Sequence, residues 1–324
     1  MPTECPPNAH RITIEFPPIF LFLHTMEYQL YTLHNGLRLA HIPAASPVAH
    51  FGVIINAGSR DEIQEEHGLE HFIEHVIFKG TKKRKTFHII SRLEDVGGEI
   101  DAYTSKENTC IYASFLKEYY ERAIELVRDI AFNSTFPQKE LDKEKEVILD
   151  EINSYKDTPA DLIFDDFEEL VFHGHALGRN ILGEKQYLRQ FNKTSIEKFI
   201  RGNYHTDQIV FCTVGDIEPK KLVRFFEKHF MTIPRNYRRN GRIPFLRYKP
   251  QYKTENKNTY QAHCIIGGTA YKITHKNRLP LTLLNNLLGG PGMNARLNLL
   301  LREKHALVYN IESGYIPYSD TGVF

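Results

Sequence analysis

Residues 66–81 read Glu66-His67-Gly68-Leu69-Glu70-His71-Phe72-Ile73-Glu74-His75-Val76-Ile77-Phe78-Lys79-Gly80-Thr81. At about 100° per residue, Leu69, Phe72, Ile73, Val76 and Ile77 form one continuous apolar stripe, which predicts a helix from Gly68 to about Phe78. His71 and His75 stand one turn apart on the opposite side, with Glu74 beside them. Two imidazoles at i and i+4 can share one tetrahedral Zn²⁺, and an unligated carboxylate next to them can take a proton from water held on the metal. A histidine on an amphipathic helix is more often an ordinary surface residue, so the pattern needs a third ligand to become a site. His67-Gly68-Leu69-Glu70-His71 spells the same pattern one turn earlier. Gly68 and the polar run before it put His67 at the frayed helix start, so the His71–His75 frame is the one expected to hold metal, with His67 left to line the site.

A second helix, from Pro137 to about Lys156 and ended before Pro159, offers the missing ligand. Leu141, Ile148, Ile152 and Tyr155 make its apolar stripe, and Glu144 and Glu151 fall along the edge of that stripe. Lys143, Asp150 and Asn153 point elsewhere. A carboxylate on a core-facing edge is costly unless it is paired or binds a metal, and here there are two.

Around these helices the chain alternates strands and helices in unequal blocks. Strands are expected at Leu37–His41, Ala49–Gly58, Ile100–Ser105, Thr109–Leu116 and Gln208–Val214. Further helices are expected at Thr86–Val96, Glu118–Phe132, Ser195–Tyr204 and Pro219–Phe230, with a loop region around His173–Gly183. The basic, proline-bearing run 236–257 suits an interdomain linker. After it, a strand at Ala262–Thr269, a helix at Leu279–Leu288 and strands around Val308–Gly314 and Asp320–Phe324 read as a degenerate second copy of the first unit, without its His and Glu cluster. The expected fold class is α+β: two related layered domains, each a mixed or antiparallel sheet packed with helices, the second incomplete. The first domain is expected at 26–235 and the second at 258–324, with residues 1–25 as an extension outside the fold.

The bulk composition narrows function by exclusion. The 324 residues carry 41 basic and 40 acidic side chains, a balance that argues against a nucleic-acid or membrane-surface binder. No run approaches the roughly 18–20 apolar residues of a membrane span. The apolar run at Phe16–Leu23 is short, broken by proline and without a basic flank, so no secretory leader is expected and the cytoplasm is the expected compartment, with the periplasm as an alternative. Cys5, Cys110, Cys212 and Cys264 form no Cys-x-x-Cys pair, and the last three lie in apolar runs as expected buried residues.

The motif His67–His75 with Phe78-Lys79-Gly80-Thr81, the run Gly97–Ser105, Glu144 through Glu151, Leu177–Gly183 and Val214–Ile217 together resemble the pitrilysin/insulinase family of inverted-motif zinc peptidases, of the mitochondrial processing peptidase type. The resemblance runs from Tyr28 to Phe324, and Glu151 lies 76 residues past His75. It implies one zinc ion per chain on His71, His75 and Glu151, with Glu74 as general base and Glu144 as a carboxylate behind the ligands that orients them. It implies that Ile100, Asp101, Ala102, Tyr103 and Thr104 form an edge strand to which an extended peptide pairs through its backbone. Arg302 and Tyr309 match the pair that binds substrate and polarises the scissile carbonyl. The implied assembly is a homo- or heterodimer enclosing a chamber. Glu70, Asp101 and Ala176 depart from the small residue, Asn and Pro that are commoner in the family. The implied activity is hydrolysis of short or unfolded peptides; the alternative is a catalytically silent chamber subunit or peptide-binding scaffold.

Overall fold

The structure is a computed structural model that describes residues 28–239, 241–257 and 259–324. The expected extension at residues 1–25 lies outside the described residues. In chain order the first part forms β1 (Gln29–Thr32), β2 (Arg38–Pro43), β3 (Val48–Ile55), α1 (Leu69–Val76), α2 (Thr86–Glu94), β4 (Glu99–Thr104) and β5 (Thr109–Leu116). There follow α3 (Tyr120–Asn133), α4 (Gln138–Lys156), α5 (Pro159–Val171), α6 (Lys185–Leu188), α7 (Lys193–Asn203), β6 (Ile209–Gly215) and α8 (Pro219–Phe230).

Period-two alternation fixes which face of each strand is inside. In β3, Ala49, Phe51, Val53 and Ile55 are buried, whereas Val48 and Ile54 face out. β5 and β6 repeat the pattern, with Ile111, Ala113 and Phe115 inside on one and Ile209 and Phe211 on the other. The six strands run in the order β1-β2-β6-β3-β5-β4. All pairings are antiparallel except β2 with β6, which is parallel from Arg38 opposite Val210 to Pro43 opposite Gly215. The sheet is therefore mixed, and β4 lies at its edge. Helices cover the inner face: α3 packs on β3 and β5, α8 on α3, α2 on α3 and β4, and α1 on β4 and α4. The outer face keeps large side chains such as Ile54, Tyr103 and Tyr112 at the surface.

The helix α5 occupies residues that the sequence reading passed over, starting at Pro159, where the preceding helix was expected to end. Pro is at home at a helix start because its missing N–H is not needed there. Of the cysteines, Cys110 is buried and Cys212 half-buried, but Cys264 is exposed, contrary to expectation.

Residues beyond α8 contain a helix, α9 (Arg278–Gly289), a π-helical stretch Asn298–Lys304, and two short strands, β7 (Ile316–Pro317) and β8 (Gly322–Val323). The helix matches expectation. The strands expected at Ala262–Thr269 and Val308–Gly314 are not formed; Thr269 makes a single bridge to Val323. A strand needs a neighbour to satisfy its backbone, and among the described residues these segments have too little to pair with. Tyr318 and Val323 instead bury themselves with Val171, Phe172, Leu177, Phe167 and Phe245. The described residues of the run 236–257 carry no helix or strand, yet they are tied down: Arg238 and Arg242 reach Asp61 at 2.9 and 2.6 Å.

Candidate metal centre

Helix α1 is held at its start. Glu62, just ahead of it, accepts from the backbone N–H groups of Gly68 (3.0 Å) and Glu70 (2.8 Å), two donors that a helix N-terminus leaves without partners. Gly68 adopts φ +92° there, and a Cβ on it would stand 2.7 Å from Gly183 Cα, so the loop before α6 closes directly onto the helix start. The stripe Leu69, Phe72, Ile73, Val76 and Ile77 is fully buried, as its spacing predicts. The histidine face is not open surface, because α4 packs over it.

Across that contact, His71 Nε2 lies 3.7 Å and His75 Nε2 3.5 Å from Glu151 Oε2. One donor atom from each of the three residues falls within 4.8 Å of the others. Donors at about 2.1 Å from a tetrahedral zinc stand roughly 3.4 Å apart, so the His71–Glu151 and His75–Glu151 separations lie within a few tenths of an ångström of what the ion needs. Glu151 Oε2 is buried and has no hydrogen-bond partner, which is costly for a carboxylate unless a cation fills the space it faces. Burial, and then the neighbouring His75, lower His71 to about 4, so its imidazole is neutral at pH 7, the form that ligates metal.

Glu144 stands behind His75. Its Oε2 is 3.3 Å from His75 Nδ1 and its Oε1 is 2.7 Å from Lys79 Nζ. A carboxylate on the far nitrogen fixes which nitrogen faces the metal. Lys79, which the sequence reading did not single out, holds that carboxylate in place through this contact. Glu74 projects toward the edge strand. Burial raises its carboxyl above the ordinary range, and Thr104 and the neighbouring His75 partly offset that rise.

The earlier frame belongs to the core and not to the metal cluster. Glu70 is fully buried, accepts from Tyr204 Oη at 2.8 Å and from the Thr109 hydroxyl, and is pushed up to about 8 by burial. His67 Nε2 meets the Asn180 carbonyl at 2.7 Å, which turns the ring toward that loop and not onto the metal cluster.

In β4, Ile100, Ala102 and Thr104 face the helices, while Asp101 and Tyr103 face outward beside Tyr112. Arg302 and Tyr309 lie together, guanidinium over ring at 5.7 Å, with Tyr309 largely exposed. Among the described residues no hydrogen bond or ion pair joins either to the metal cluster.

Comparisons with known proteins place the chain in a family. The model of the insulinase family (peptidase family M16) matches residues 39–185, and that of the peptidase M16 inactive domain matches residues 190–324. The chain is 36% identical over 299 residues to the uncharacterized zinc protease YmxG of Bacillus subtilis, covering 90% of this chain and 71% of that protein. It is 30% identical over 313 residues to the mitochondrial-processing peptidase subunit beta of Bos taurus, covering 93% of this chain and 64% of that one. Among solved structures, a protease from Helicobacter pylori superposes with a TM-score of 0.82 at 22% identity, covering 92% of this chain and 73% of that one, a likeness of fold alone. No helix among the described residues is long and apolar enough to cross a membrane. With the metal cluster inside the part matched by the peptidase model and relatives at this identity over most of their length, the chain belongs to the insulinase family of peptidases, peptidase family M16.

Proposed function

We propose that the chain is a zinc-dependent endopeptidase acting on short or unfolded peptides. The observation that carries this reading is the convergence of His71, His75 and the partnerless Glu151 Oε2 beside Glu74. His71, His75 and Glu151 would hold the ion, and Glu144, tied to Lys79, would orient His75. A bound zinc supplies Lewis acidity and makes water acidic enough to lose a proton near neutral pH. Glu74 takes that proton and passes it to the leaving amine, a role suited to a carboxyl raised by burial. The peptide lies along the free edge of β4, paired by backbone hydrogen bonds through Ile100 to Thr104, which brings its scissile bond past Glu74. Arg302 and Tyr309 reach the substrate from the second half, in a dimer that encloses it. The bovine relative named as a subunit supports assembly with a second chain. The cytoplasm remains the proposed compartment.

The silent-subunit alternative draws only on the inactive-domain model, and that model begins after all four residues of the metal site. Glu74→Gln separates the two readings. We expect cleavage of a quenched peptide to fall at least about a hundredfold while zinc stays bound. Undiminished turnover in the zinc-loaded variant would overturn the assignment of Glu74.

A further inference from the structure

The turn joining β4 to β5 is built unlike a hairpin tip. Such tips are ordinarily solvated, yet Lys106 and Glu107 are both buried charged residues. Lys106 Nζ donates to the Arg179 carbonyl and lies 3.2 Å from Glu168 of α5. Glu107 Oε1 accepts from Arg60 Nη1 and Ser319 Oγ, each at 2.6 Å, and its Oε2 accepts from the Ser319 backbone at 2.8 Å. Arg60 is itself fixed twice. Its backbone N–H donates to the Lys106 carbonyl at 2.8 Å, and its guanidinium grips Asp320 through two bonds of 2.6 and 2.7 Å. Arg242 adds a bond to the Glu107 carbonyl at 2.6 Å.

The tip is thus locked by residues 319–320, far along the chain, and the lock sits directly after Thr104, the β4 residue beside Glu74. Paired charges with bidentate geometry hold position more tightly than an exposed turn could. Resting on the reading of β4 as the docking strand, we propose that Glu107 is a positioning residue for the peptide substrate: gripped by Arg60 and Ser319, it fixes the end of β4 against α1, so that a peptide paired to the strand arrives in register with the metal site. Ser319 and Asp320 thereby shape substrate docking without touching the substrate.

The test uses the full zinc-loaded chain carrying Glu74→Gln, so that a labelled extended peptide of about ten residues, long enough to run along β4, binds without being cut. Adding Glu107→Gln should weaken its affinity roughly tenfold, and Ser319→Ala, a milder change that spares the fold, by about threefold. Zinc content and the affinity of a dipeptide hydroxamate, which reaches only the metal, should not move. Unchanged affinity for the long peptide, equal weakening of both ligands, or no binding to the Glu74→Gln chain each overturns the proposal. If the chain with native Glu74 cuts nothing while the Glu74→Gln chain binds the long peptide and shows the expected pattern, the proposed hydrolysis fails and the positioning role stands.

Discussion

Glu70→Gln gives a stability change whose size depends on pH in a way the structure dictates. The Glu70 side chain is fully buried, its Oε1 accepts from Thr109 and Tyr204, and its Oε2 has no partner. Burial moves its carboxyl from the ordinary 4.5 up to about 8. Between those values the folded protein keeps a proton that the unfolded chain releases, so the stability from this group is complete below 4.5 and drains away as pH climbs toward about 8. Each pH unit in that window is linked to about 1.4 kcal/mol, so moving from about pH 5 to about pH 7.5 removes roughly 3 kcal/mol. Glutamine keeps the accepting oxygen and the shape but does not titrate. At about pH 5 the acid carries an O–H and the amide an N–H where the structure offers no acceptor, so the two proteins should match within about 1 kcal/mol. At about pH 7.5 the variant should be the more stable by roughly 3 kcal/mol. Urea unfolding followed by far-ultraviolet circular dichroism, in excess chelator so that metal occupancy does not change with pH, reads the difference. A gap that stays flat to within about 0.5 kcal/mol across that range would refute the reasoning.

Glu144→Gln should weaken zinc binding about 10- to 100-fold, because the amide no longer draws the His75 Nδ1–H and no longer pairs with Lys79; chelator competition measures it, and unchanged affinity would remove Glu144 from the site. Gly183→Ala should destabilise the protein by about 3 kcal/mol or more, since its new Cβ would lie 2.5 Å from Gly68 Cα and the His67 carbonyl oxygen at a φ of +76°. Its thermal unfolding midpoint reports this, and a midpoint equal to that of the parent would show that the loop can move away from the helix start.

The convergence of the candidate metal ligands is legible in sequence because both helices carry their own periodicity. The stripe on α1 and the stripe on α4 fix which way His71, His75, Glu144 and Glu151 point before any tertiary contact is known. The partners that hold those helices were not legible. Glu62 caps α1 from the short link between two 3-10 turns, outside any periodic segment, and nothing near it in sequence announces the role. Glu70 looked like part of a second metal frame, because its destination, the hydroxyls of Thr109 and Tyr204, lies on distant elements. Helix α5 is hidden in sequence although Leu162, Ile163, Phe167, Leu170 and Val171 recur at helical spacing, because Pro159 reads as the end of the preceding helix as readily as the start of a new one. The strands expected at Ala262–Thr269 and Val308–Gly314 failed for another reason, whereas the one expected at Asp320–Phe324 forms in part as β8. Alternation marks a segment able to join a sheet, but only a neighbouring strand turns it into one.

β6 sits between β2 and β3, pairing Ile209 with Ile55 across more than half of the first domain's sequence. During synthesis, α1 and its two histidines emerge early, but the sheet that receives them stays split until residues 209–215 arrive. Until then β2 and β3 each present an unpaired edge, and closing so long a loop is slow. Open strand edges on a half-made sheet invite pairing with other chains. A chain cut before Ile209 should therefore aggregate and not yield a smaller folded fragment: the last strand of the six-stranded sheet to be synthesised is the one that closes it.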